Sequence, residues 1–127
     1  MQVARGAILP QQAPYSEVVG ELVIDVRRLL AVARSAHPGW DWAVTMNPET
    51  FALLGIPVHS LETANPLTGA RYTVPGLWGT ELLVLQLVHE VVLCSPVGTP
   101  ERPEGWPATH YLDLHTRVVS TTPPAVG

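Results

Sequence analysis

The stretch Trp42-Ala-Val-Thr-Met-Asn-Pro-Glu-Thr-Phe-Ala-Leu-Leu54 decides how this chain is read. Trp42 to Met46 is short, apolar and partly β-branched, which predicts a buried strand. Asn47 belongs to the residue types whose side-chain oxygen caps helices, and Pro48 at the first helical position sacrifices no donor. Glu49 falls at the positive end of the helix dipole, and Gly55 can adopt the left-handed terminal conformation. The expected unit is a strand followed by a capped short helix. Phe51 and Leu54 form its buried face, with Leu53 a further candidate.

Upstream, Val19, Leu22, Val23, Val26, Leu29, Leu30 and Ala33 recur at three- and four-residue intervals and predict one apolar face of a helix over 16–36. Ser16 is its expected cap. Glu21, Asp25 and Arg28 fall on the opposite face, where Asp25 and Arg28 can pair at three-residue spacing. His37 precedes Pro38, which pushes it out of the helical region and ends the helix.

Downstream, Ile56 to Ser60 and Ala70 to Val74 read as strands around a loop tip at Asn65-Pro-Leu-Thr-Gly69, and Pro75-Gly76 reads as a turn. Thr80 to Cys94 fits a long bent strand, a pair of strands or a buried helix. The valines and the preceding Gly79 favour strand. Ser95 to Pro107 is rich in Pro and Gly and predicts an extended connector. Tyr111 to Val118 alternates, which predicts a strand with Leu112, Leu114 and Val118 inward and Asp113, His115 and Arg117 outward.

The 127 residues suffice for one core. The expected division is an N-terminal arm at 1–14, a single α+β domain at 15–119 and a C-terminal tail at 120–127. Charged residues make up 14%, against roughly 25% in an ordinary soluble domain. A small domain normally covers its large surface with charge, so a charge-poor surface points to partner contacts. All seven basic residues are Arg, as a GC-rich genome would give, and net charge is −4. With no basic run, neither direct nucleic-acid binding nor an anionic membrane is expected. The first ten residues lack the apolar core of a secretion signal, and Leu82 to Cys94 is too short and too polar to span a bilayer. Synthesis in a cytoplasm is the expectation. The single Cys94 ends an apolar run, where an inert buried thiol is the default.

Candidate chemistry is sparse. His89-Glu90 lacks the second His of a zinc-protease helix, and His110 and His115 fall on opposite faces of an alternating strand, so no metal or cofactor is expected. Asp113 and His115 share a face, as an oriented general base requires, but no Ser is framed by glycines as a nucleophile. That face reads more simply as a surface, and no catalytic residue is assigned. Trp is enriched at interaction hot spots. Trp42 and Trp78 suit core positions, whereas Trp40 and Trp106 are interface candidates together with Asp113, His115 and Arg117.

Over about residues 16–90 the chain resembles the major capsid-type head proteins of tailed bacteriophages. The strand Ala43-Val-Thr-Met46, the pair Asn47-Pro48 and the helix Glu49 to Leu54 are similar to a strand, Asn-Pro and short-helix segment of that family. Leu77-Trp-Gly79 with Leu82-Leu-Val84 is similar to its Leu-Gly-x-Pro-Val strand, except that Glu81 stands where the family has Pro. The family's long spine helix has no counterpart. The resemblance implies a virion component, such as a head decoration, minor capsid, neck or tail protein, without catalytic residues.

The expected fold is therefore α+β, one long amphipathic helix packed on a mainly antiparallel sheet, with Pro-rich extended arms at both ends. The expected role is a non-enzymatic virion structural protein bound to copies of itself and to another virion protein. The alternatives are an intracellular oligomeric binding or regulatory module of a GC-rich bacterium, and a small hydrolase using His115 and Asp113.

Overall fold

A computed structural model describes residues 12–65, 67–97 and 109–123, with side chains from Gly20 onward. Helix α1 runs Gln12–Ala36, followed by strand β1 Trp42–Met46 and helix α2 Pro48–Leu54. Strands β2 His59–Ala64, β3 Arg71–Leu77, β4 Thr80–Val84, β5 Val91–Pro96, β6 His110–Asp113 and β7 Val119–Ser120 follow among the described residues. They form one sheet in the order β2-β3-β4-β1-β5-β6-β7. Among the described residues only β1 and β4 run parallel, and every other neighbouring pair is antiparallel. The fold is α+β, a long helix with a mainly antiparallel sheet.

The core lies where the apolar face of α1 meets the sheet. Val26, Leu29, Leu30 and Ala33 of the helix join Trp42, Val44, Met46, Leu77, Leu82, Val92, Cys94 and Leu112 in one buried cluster. Leu22 and Val23 pack at its edge, as the three-and-four spacing predicts. All five residues of β1 are buried, because β1 is flanked by β4 and β5 in the middle of the sheet. The helix departs from expectation at its start. It begins at Gln12, so residues 12–14, expected in the arm, are helical and Ser16 lies inside the helix. Residues 1–11 and 124–127 lie outside the described residues. Ser120, expected in the tail, pairs with Tyr111 in β7.

Between β1 and β4 the chain makes α2 and then the β2–β3 hairpin. Gly55 ends α2 at φ 61, the left-handed cap that the sequence predicts, donating its N–H to the carbonyl of Phe51. The face that α2 buries is Thr50 and Leu54, with Phe51 partly covered and Leu53 exposed. Asn65 closes the hairpin, its Oδ1 accepting the N–H groups of Leu67 at 2.8 Å and Thr68 at 3.1 Å.

Pro75-Gly76 is not a turn but part of β3, opposite Ser60 and His59. β4 pairs only with Gly76 and Leu77, so Pro75 occupies a length of β3 with a neighbour on one side, where a missing donor is tolerated. Gly76 is needed because a Cβ there would stand 2.6 Å from His59 Cε1. The actual turn is Trp78-Gly79, with φ 51 and 79. Positive φ at both positions marks the tight hairpin whose twist matches its strands. Trp78 is held in this conformation from outside: the Arg27 guanidinium lies 4.4 Å over its ring, and Arg34 donates to its carbonyl at 3.2 Å and to Thr80 Oγ1. His59 Nε2 accepts the Gly79 N–H at 3.1 Å. The segment 80–94 resolves into two strands, β4 and β5, joined by a loop at 85–90.

Candidate functional site

The strand expected over 111–118 stops at Asp113, and its outward row does not exist as a row. Asp113 Oδ1 accepts the backbone N–H groups of His115 at 2.8 Å and Thr116 at 3.1 Å, so its side chain closes a turn. Those donors, Thr116 first, hold its carboxyl below the ordinary value. Arg117 then adopts φ 63 and its N–H returns to the Asp113 carbonyl at 2.7 Å. A short polar side chain that can bind its own backbone competes with strand continuation, and here it wins. Val118, expected inward, is exposed.

The three residues expected on one face consequently meet different partners. His115 Nε2 faces Glu90 Oε1 at 3.1 Å. Arg117 reaches α1, with Nε 2.7 Å from Asp25 Oδ2 and Nη2 3.2 Å from Asp25 Oδ1. Its Nη1 lies 3.4 Å from Glu21. Asp25 was expected on the solvent face but is only 5% exposed, at the margin of the apolar stripe. It also receives the expected Arg28 contact at 3.3 Å. The hydrogen bond to Asp25 raises Arg117 further above its already high ordinary pKa. Of the tryptophan candidates, Trp40 is half-buried and stacks on His37 with ring centroids 3.9 Å apart. Trp106 lies outside the described residues. Trp42 is in the core, its ring edge-on to His110, and its Nε1 is buried with no hydrogen-bond partner among the described residues.

One concavity lies away from the β6 strand. It is a cleft of about 580 Å³ between α1, α2, the β4–β5 loop and the 114–117 turn. Leu22, Leu53, Leu87, Val88 and Leu114 supply apolar walls, and Glu21, Glu49 and Glu90 stand around them with Asp25 and Arg117. Asn47 builds one wall in a way its position in the sequence concealed. Its side chain makes no cap hydrogen bond to α2. Instead its Oδ1 accepts from the Leu87 N–H and from Gln86 Nε2, while its Nδ2 donates to the His89 carbonyl at 3.1 Å. A buried amide thus fixes the loop from both of its ends. The loop so fixed presents Leu85 and Val88 to solvent, Val88 at 93% exposure.

No protein-family model, curated protein or solved structure matches this chain. What the cleft can do is therefore read from its own chemistry. Among the described residues, no group of three or more His, Cys, Asp or Glu side chains is placed to hold a metal ion, and no helix is long and apolar enough to cross a membrane. The lining combines apolar walls with carboxylates, and its one arginine is already committed to Asp25 and Glu21. Such a surface suits a segment that is apolar with a positive charge. The sequence signal that could have located it is the break from Leu85-Gln-Leu-Val88 into His89-Glu90, which interrupts an otherwise continuous apolar run and so marks a loop.

Proposed function

We propose that the protein is a non-enzymatic structural component of a tailed-phage particle, bound to copies of itself and to another head, neck or tail protein. The observation that carries this reading is the loop held by Asn47. Buried polar groups are spent on fixing a segment whose apolar side chains face water. A solvent-facing valine gains nothing from being fixed unless a partner covers it, and rigid presentation lowers the ordering cost of association. Exposed Leu53 beside the cleft, and Val58, Leu67 and Tyr72 around the β2–β3 hairpin, extend the same character across the surface. The charge-poor composition and the resemblance of residues 16–90 to capsid-type head proteins support the virion setting.

The test is self-association and incorporation. Sedimentation velocity of the full chain across micromolar concentrations should show oligomers, and Val88→Glu should lower their affinity at least tenfold while circular dichroism stays native. In particles assembled from a genome carrying Val88→Glu, the protein should be depleted relative to the major head protein. A wild-type chain that stays monomeric and is absent from purified particles overturns the reading.

A further inference from the structure

The cleft between α1, α2 and the 85–90 loop has a matching segment within the chain itself. Residues 3–9, Val-Ala-Arg-Gly-Ala-Ile-Leu, are apolar with one charge, Arg5, and lie in the eleven residues preceding α1. The cleft offers the complement: Leu53, Leu87 and Val88 for the apolar groups, and Glu49 for the guanidinium, with Glu90 beside it in contact with His115. Both carboxylate residues are exposed and stand at the rim, where a charge can pair without full desolvation. Arg117 does not oppose such a partner, because its charge is neutralised by Asp25 at 2.7 Å and Glu21 at 3.4 Å. The arm is also long enough to leave its own subunit. Residues 1–11 could span at most roughly 35 Å at ~3.3 Å per residue, about the diameter of a small domain.

We propose that this cleft is the docking site for the N-terminal arm, residues 3–9, of a second copy of the chain. The proposal rests on the self-assembly reading above, and it names the contact through which that assembly is made. Arm exchange of this kind links subunits head to tail, so it closes into rings or continues along a lattice according to the angle between copies.

A charge swap on the full-length protein tests it. Arg5→Glu and Glu49→Arg should each weaken self-association at least tenfold, measured by sedimentation velocity at fixed ionic strength. Mixed in equal amounts, the two variants should associate as tightly as wild type. Each heterotypic pair then offers either a native arm to a native cleft or a reversed arm to a reversed cleft. Recovery in the mixture also establishes that both variants are folded. If wild type oligomerises and neither variant weakens it, the arm assignment fails while the self-assembly reading stands. If wild type is monomeric at every concentration, the self-assembly reading fails and the second-copy assignment goes with it. Variants that weaken association but do not recover on mixing overturn the pairing of Arg5 with Glu49.

Discussion

Arg117 and Asp25 lie 92 positions apart in the chain and meet through a two-point ion pair, at 2.7 and 3.2 Å. This pair joins the turn after β6 to the middle of α1 and closes one end of the cleft. Arg28 adds a second clasp, donating to the Arg117 carbonyl at 2.7 Å. Arg117 keeps φ 63 despite having a side chain, a conformation that costs about 1 kcal/mol outside glycine.

These two facts separate in mutants. Arg117→Ala keeps the strain and leaves Asp25 with Arg28 alone, and should lower stability, by less than the full penalty for breaking a buried pair because Arg117 is half exposed. Arg117→Gly loses the same pair but relieves the backbone, and should be about 1 kcal/mol more stable than Arg117→Ala. Urea unfolding of the three proteins measures both differences. Equal stability of the Ala and Gly variants would exclude the left-handed conformation.

Asn47 offers a sharper discrimination, because capping and loop-fixing make different demands on it. A cap needs only an acceptor, and Asp serves there as well as Asn. The loop needs the Nδ2 donor for the His89 carbonyl as well as the Oδ1 acceptor for Leu87. Asn47→Asp should therefore destabilise by about 1–3 kcal/mol, since it buries a carboxylate and leaves a carbonyl without its partner. Amide hydrogen exchange should show Leu87 losing protection in Asn47→Ala. An Asp variant as stable as wild type would return Asn47 to a capping role.

The contrast between what was legible and what was not follows from the range of the forces involved. The register of α1, the extent of β1 and the left-handed Gly55 are set within a few residues, by periodicity and local sterics, and they read directly from the letters. Pro75-Gly76 misreads as a turn because its strand character is imposed by β2, through His59 packed where Gly76 has no Cβ. Asp113 misreads as an outward strand residue because alternation says nothing of a side chain that binds its own backbone. Asp25 looks like a solvent-face charge until its partner arrives from the far end of the chain. The cleft was not legible for the same reason: four separate segments build it, and no two of its walls are neighbours in sequence except through Asn47.

Gly76 makes the long-range constraint testable. Gly76→Ala places a methyl 2.6 Å from His59 Cε1 and 3.0 Å from Leu61 Cβ, so the imidazole must move and its bond to the Gly79 N–H must lengthen. A loss of about 1–3 kcal/mol is expected, in the range of overpacked sites. Combining it with His59→Ala should recover part of that loss, because the clash is with the ring. Additive losses in the double variant would place the strain in the backbone instead.

The Asp113 turn carries a pH signature whose sign can be worked out. Its carboxyl titrates below the ordinary carboxylate value because the Thr116 and His115 N–H groups bind the ionised form. A group depressed on folding stabilises the fold above its unfolded pKa, which for Asp is about 3.9. That contribution is lost as pH falls from there through the folded value. The amide shifts of His115 and Thr116 should therefore titrate together with a midpoint below 3.9, the model-compound value. In Asp113→Asn the acceptor remains but the charge does not, so the turn should persist and the titration should vanish. Amide shifts that move at or above the model-compound midpoint would mean that the carboxylate does not hold the turn. The 114–117 wall of the cleft, and the approach of Arg117 to Asp25, would then need another cause.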